Sequence, residues 1–76
     1  MFSVRVVDDD QKGVSGIRVR LEFTDFVRGM SNEEYTDSDG YAEFDGYEDG
    51  EVVVYVDGGN AGTYQYEDGG SITVTR

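Results

Sequence analysis

The sequence predicts an all-β fold: seven short strands in an antiparallel β-sandwich or small barrel, with little or no helix. Residue chemistry is the first observation. Eleven Val stand against one Leu and two Ala, with six Tyr and four Phe, which suits a pleated surface and suits a helix poorly. The second is strict alternation of apolar and polar residues in several blocks. The third is the punctuation, with Asp- and Gly-rich turns roughly every 8 to 12 residues, as in sandwiches. Leu, Ile, Val and Phe make up 18 of the 76 residues. That is enough apolar material for one folded domain spanning residues 1–76, despite the high charge.

Phe2, Val4 and Val6 alternate with Ser3, Arg5 and Val7, and the acidic turn from Asp8 to Gly13 ends this first strand. Ile17, Val19, Leu21 and Phe23 then alternate with Arg18, Arg20, Glu22 and Thr24 in the cleanest period-2 block. Residues Asp25 to Glu33 have neither period but carry Phe26, Val27 and Met30. This connection either closes an open end of the core or presents an apolar binding tip. Glu34 to Thr36 leads into Asp37-Ser38-Asp39-Gly40, after which Tyr41 to Phe44 alternates again. That pattern reads as a hairpin in which Gly40 supplies a positive φ and the Asp side chains bond nearby amides.

Asp45 to Gly50 is a loop, and the five apolar residues Val52 to Val56 predict a central strand covered on both faces. Asp57-Gly58-Gly59-Asn60 turns the chain. Tyr64 and Tyr66 share a face of the sixth strand, and Ile72 and Val74 mark the seventh after the break at Asp68-Gly69-Gly70. The expected core is Ile17, Val19, Leu21, Phe44, Val52, Val54, Val56 and Ile72, with Arg18, Arg20, Glu22 and Thr73 outside.

Three pieces of this sequence are distinctive together: Val4 to Leu21, containing Gly-Val-Ser-Gly-Ile-Arg-Val-Arg-Leu; Thr36 to Phe44, reading Thr-Asp-Ser-Asp-Gly-Tyr-Ala-Glu-Phe; and the valine run after Asp49. The combination, over about two-thirds of the chain, resembles carboxypeptidase regulatory-like domains, relatives of collagen-adhesin B-type repeats and other prealbumin-like sandwiches. The resemblance implies a seven-stranded immunoglobulin-like sandwich. It implies an accessory, spacer or adhesion module of a larger, often extracellular or cell-surface, protein. The pattern departs at Ala42, where such domains commonly hold a larger residue. Some adhesin relatives carry a Lys-to-Asn or Lys-to-Asp cross-link, but the only lysine here, Lys12, lies in a turn, and the last strand offers no Asn or Asp.

Charge and composition narrow the function. With 17 acids against 6 bases the formal charge is −11, which repels nucleic acid and anionic membrane surfaces. The chain has no His and no Cys, so imidazole bases, thiol nucleophiles and the usual nitrogen- or sulfur-ligated metal sites are excluded. Nothing remains to activate a serine, and an enzyme is not expected. No apolar run approaches the length of a membrane-spanning helix, and residues Met1 to Val7 do not form a signal peptide. The acidity itself has two readings, adaptation to salt or the accumulation of Asp in turns.

The candidate sites are surfaces. Tyr41, Val53 and Tyr55, if exposed together, form a contact surface for protein or for a glycan ring. Phe26, Val27 and Met30 form the loop tip. Asp8 and Asp10, and likewise Asp37 and Asp39, are fragments of a calcium loop, but Lys12 stands where a third ligand is needed. They read first as turn formers, with weak Ca²⁺ binding as the alternative. Arg18 and Arg20 read as cross-strand partners of nearby acids. The expectation is a noncatalytic structural or protein-interaction module without cofactor, a spacer or docking unit partnered by other proteins or neighbouring domains. The alternative is a ligand-binding module for glycan or Ca²⁺.

Overall fold

The computed structural model describes residues 1–24 and 29–76. Over these residues the chain forms seven strands and no helix: β1 (Phe2–Val7), β2 (Arg18–Phe23), β3 (Glu34–Tyr35), β4 (Tyr41–Phe44), β5 (Gly50–Val56), β6 (Gly59–Tyr66) and β7 (Ser71–Thr75). They build two sheets with strand orders β4-β1-β7 and β3-β2-β5-β6. Alternation decides what lies between the sheets. Phe2, Val4 and Val6 of β1, Ala42 and Phe44 of β4, and Val74 of β7 meet Val19, Leu21 and Phe23 of β2, Val52 and Val54 of β5, and Tyr66 of β6 in a single buried cluster. At one end Phe2, Phe23, Tyr47 and Tyr66 pack ring to ring at 5.0 to 5.9 Å, the tilted and edge-on spacing that aromatic quadrupoles favour. Burial pushes the Tyr66 phenol above its ordinary value of 10.0.

Four expectations are corrected. The sandwich is not wholly antiparallel, because β7 runs parallel to β1, with Val4 opposite Ile72 and Val6 opposite Val74. Period-2 alternation reports which face a residue takes and carries no information on strand direction. The segment from Glu34 to Phe44 is not a hairpin either. β3 pairs with β2 while β4 pairs with β1, so Asp37 to Gly40 is a corner that carries the chain from one sheet to the other. Thr36 pins that corner. Buried itself, it accepts the Ile17 amide at 2.8 Å through Oγ1 and donates to the Val14 carbonyl at 2.6 Å.

The central position of β5, between β2 and β6, agrees with its valine run. Only one of its faces is fully covered, however, since Val53 and Tyr55 on the outer face are half-buried. Ile72 and Val56 are also half-buried rather than core residues. Ile72 sits on an edge strand, and Val56 lines the groove beside it. A tight hairpin joins β5 to β6 through Asp57 and Gly58, at φ of 53° and 83°, the paired positive φ of a type I′ turn. As a result β6 starts earlier than its tyrosines suggest.

Candidate interaction site

The two outer faces of the sandwich divide the predicted surface. Tyr41 lies on the outer face of the three-stranded sheet, opposite Arg5 in the register of β1, and the Arg5 guanidinium stands 5.3 Å from its ring centre. Val53 and Tyr55 lie on the outer face of the other sheet, with the core between them and Tyr41. The three residues therefore do not share a surface, and Tyr41 and Tyr55 do not offer a pair of coplanar rings. Phe26 and Val27 lie outside the described residues. Met30 is exposed and bridges to Glu22 on β2.

Met30 does help to build a cleft that the tyrosine reading did not anticipate. Arg18 and Arg20 alternate outward from β2, Tyr55 stands beside Arg20 on β5, and the tight turn at Gly58 leaves room over them. Together with Met30 and Glu33 they line a cleft of about 300 Å³. Glu33 faces both arginines, 3.3 Å from Arg18 Nε and 3.6 Å from Arg20 Nη2. Among the described residues Arg20 Nε is buried without an acceptor. Tyr55 donates its hydroxyl to Glu22 Oε1 at 3.0 Å, a bond that raises the tyrosine pKa because the neutral phenol is the donor. The arginines are thus partnered by acid, as expected, but by one carboxylate shared between two guanidiniums.

The acidic turns use their carboxylates internally. Asp8 Oδ1 accepts the amides of Asp10 and Lys12 at 2.9 and 3.1 Å, and Asp37 Oδ1 accepts those of Asp39 and Tyr41 at 2.9 and 3.0 Å. Among the described residues no group of three or more carboxylates is arranged to hold a metal ion. The two turns do meet, but through backbone. Gly13 lies against the Asp39 carbonyl, and Gly40 lies against the Val6 carbonyl and Gly13 Cα.

A further feature is the pair of strands that end the two sheets. β6 and β7 face each other across a groove of about 340 Å³ lined by Val56, Ala61, Tyr64 and Val74 together with the polar Asn60, Thr73, Thr75 and Arg76. Neither strand contains a charged residue, in a chain that is 30% charged. The other two edges do carry charge, with Glu34 in β3 and Glu43 in β4. On β6 a bulge at Ala61 and Gly62 opposite Val54 interrupts the ladder. β7 is regular. The Gly70 carbonyl accepts Ser3 N and the Arg76 amide donates to Val7 O, so even-numbered residues face β1 and the amides of Ser71, Thr73 and Thr75 point to the open side. The absence of charge from residues 59–66 and 71–75 was visible in the sequence. That both stretches are sheet edges was not.

No family model matches the chain, and neither a curated protein nor a solved structure matches it. The described residues contain no helix long and apolar enough to cross a membrane.

Proposed function

We propose that this chain is a noncatalytic protein-interaction module, a spacer or docking unit of a larger assembly, that receives an extended segment of another protein alongside β7. The observation that carries this reading is the unprotected β7 edge. Sheet proteins usually guard a free edge with lysine, proline, a bulge or inward-pointing charge, because unpaired N–H and C=O groups template further pairing. β7 has none of these: it is five uncharged residues beside a groove whose walls combine Val56, Ala61, Tyr64 and Val74 with Asn60, Thr73, Thr75 and Arg76. Strand addition supplies affinity through backbone bonds, and side-chain pockets of the groove supply selectivity. A second copy is a poor occupant, since each copy brings a charge of −11. A neutral or basic segment fits better.

The resemblance to carboxypeptidase regulatory-like and prealbumin-like domains agrees with this role. The finer immunoglobulin-like description of the sandwich and an extracellular or cell-surface setting belong to the same proposal.

The test uses linear random peptides displayed on phage and panned against the folded chain, followed by amide chemical-shift mapping with synthetic copies of the recovered peptides. The reading requires shifts centred on Ser71, Thr73 and Thr75. Thr73→Pro should abolish binding without unfolding the domain, because it removes an outward amide and leaves the β1 ladder intact. Peptides that map to another face, or that bind Thr73→Pro unchanged, would exclude strand addition at β7.

A further inference from the structure

The cleft on the outer face of the four-stranded sheet holds two of the chain's six basic residues within a molecule of charge −11. Arg18 and Arg20 are fixed there by β2, whose alternation turns both outward. Each guanidinium carries five N–H donors in a planar fork suited to a two-oxygen acceptor. Among the described residues one carboxylate stands against these. Glu33 is 3.6 Å from Arg20, beyond good hydrogen-bond length, and is itself one-third exposed. Among the described residues Arg20 Nε is left buried with no acceptor, a state that costs free energy until an acceptor arrives. Among the described residues the remaining walls are Tyr55 and Met30, which offer a ring and a thioether chain as apolar surface, and Gly58, which adds no side chain.

We propose that this cleft binds a carboxylate carried on an apolar body. The incoming carboxylate displaces Glu33 from the two arginines and draws Arg20 into two-point pairing through Nε and Nη, and the apolar part packs on Tyr55 and Met30. Glu33 is an internal stand-in for the ligand. A single negative charge suits the site better than a phosphate dianion, because the whole protein is acidic and Glu22 lies behind Tyr55. The free acid and the C-terminal residue of a polypeptide share this chemistry. The site is separate from the β7 edge, so either proposal can fail alone.

The experiment follows the Nε–Hε resonances of Arg18 and Arg20, with the backbone amides of Met30 and Tyr55, during titration of the whole chain. Four probes are compared: N-acetylphenylalanine, its uncharged amide, inorganic phosphate, and a short peptide ending in phenylalanine with a free carboxylate. N-acetylphenylalanine is expected to shift both arginine signals in a saturating manner, and the amide to leave them in place. Tighter binding of the peptide marks a polypeptide C-terminus as the source, and tighter binding of N-acetylphenylalanine marks a free small acid. Glu33→Gln should tighten binding about fivefold, the upper end for freeing a partly exposed ion pair. Glu43→Gln, which changes net charge equally from the other sheet, should change it by less than about twofold at physiological salt. Arginine signals that stay fixed, an amide that binds as well as the acid, phosphate that binds more tightly than either carboxylate, or equal effects of the two glutamate variants would each overturn the proposal.

Discussion

Gly13 and Gly40 bring the first turn against the sheet-crossing corner, and three alanine substitutions separate the reasons why glycine is needed there. Gly46 has φ of 86° with open space around it, so Gly46→Ala pays backbone strain alone. That strain is about 1–2 kcal/mol, partly offset by the roughly 0.4–1 kcal/mol that alanine gains by restricting the unfolded chain. Gly13 has no such φ, yet a Cβ there would fall on the Asp39 carbonyl, so Gly13→Ala pays steric displacement alone, about 1–3 kcal/mol. Gly40 combines both. Its φ is 90°, and a Cβ would stand 2.5 Å from Val6 O and 2.7 Å from Gly13 Cα, both backbone atoms with little room to yield.

Moving Gly40 also threatens the bonds Val6 N to Gly40 O at 2.8 Å and Val14 N to Val6 O at 2.9 Å. The expected loss for Gly40→Ala is therefore about 2–4 kcal/mol, a large part of the roughly 4–11 kcal/mol expected for a chain of this length. Urea unfolding followed by far-ultraviolet circular dichroism and tyrosine emission measures all three, since the chain has no tryptophan. The ranking should be Gly40, then Gly13, then Gly46. A Gly13→Ala cost no greater than that of Gly46→Ala would show that the two turns do not touch, and the account of the corner would fail.

Three further outcomes are expected. Leu21→Ala, at a fully buried position in β2, should cost about 2–5 kcal/mol by the same urea assay; a loss under about 1 kcal/mol would mean the core is not packed as described. Thr36→Val keeps the shape but strands the Ile17 amide, which should cost about 1–3 kcal/mol, whereas Thr36→Ser keeps the hydroxyl and should cost less; a Val variant as stable as the native chain, with the loss falling on Ser instead, would show that the methyl group matters and the hydroxyl does not. For Tyr66 the folded pKa lies above the ordinary 10.0 because burial disfavours the phenolate. Its contribution is whole below pH 10 and is lost as the pH rises from there through the folded value. Tyr66→Phe should flatten the decline in stability above pH 10 relative to the native chain, and parallel curves would refute that assignment.

What the sequence made legible follows from what alternation encodes. β2 was readable down to the orientation of each side chain, because Ile17 to Phe23 and Arg18 to Glu22 sort cleanly into two faces and a one-residue slip would invert them. Sheet membership was not readable. The residues of β3 and β4 flank a good turn signal, and only the buried Thr36, bonded to chain some twenty residues away, makes that turn a corner. Direction was likewise hidden in β7, where Ile72 and Val74 look the same whether the strand runs with or against β1. The cleft depends on Glu33 and Met30, both from the stretch without a period, so its arginines were visible and their shared partner was not. Tyr41 and Tyr55 both lie on outer faces, and they separate because alternation does not specify which sheet a strand joins.

The placement of charge bears on why the chain is so acidic. Every described Asp lies outside the strands, in the connections, and none occupies an outer face where an adaptation to salt would be free to put it. At Asp8, Asp37 and Asp45 the carboxylate accepts backbone amides, and Asp57 takes the positive φ that Asp tolerates better than most residues. Turn chemistry thus accounts for these four aspartates, and repulsion is its side effect. This separates carboxylates that work from those that only repel. Asp8→Ala should lose about 1 kcal/mol or more in any salt, because the Asp10 and Lys12 amides lose their acceptor. Asp9 and Asp10 are exposed beside it, and the Asp9→Asn, Asp10→Asn double variant should gain up to about 0.5 kcal/mol at low ionic strength and nothing at about 1 M NaCl, where the screening length is near 3 Å. The native chain should melt higher as NaCl rises, and CaCl₂ should add no more than MgCl₂ at equal ionic strength. A saturable rise specific to Ca²⁺ that vanishes in the Asp9, Asp10 variant would mean that the first turn binds the ion after all, since only site binding to the folded state saturates with ligand concentration.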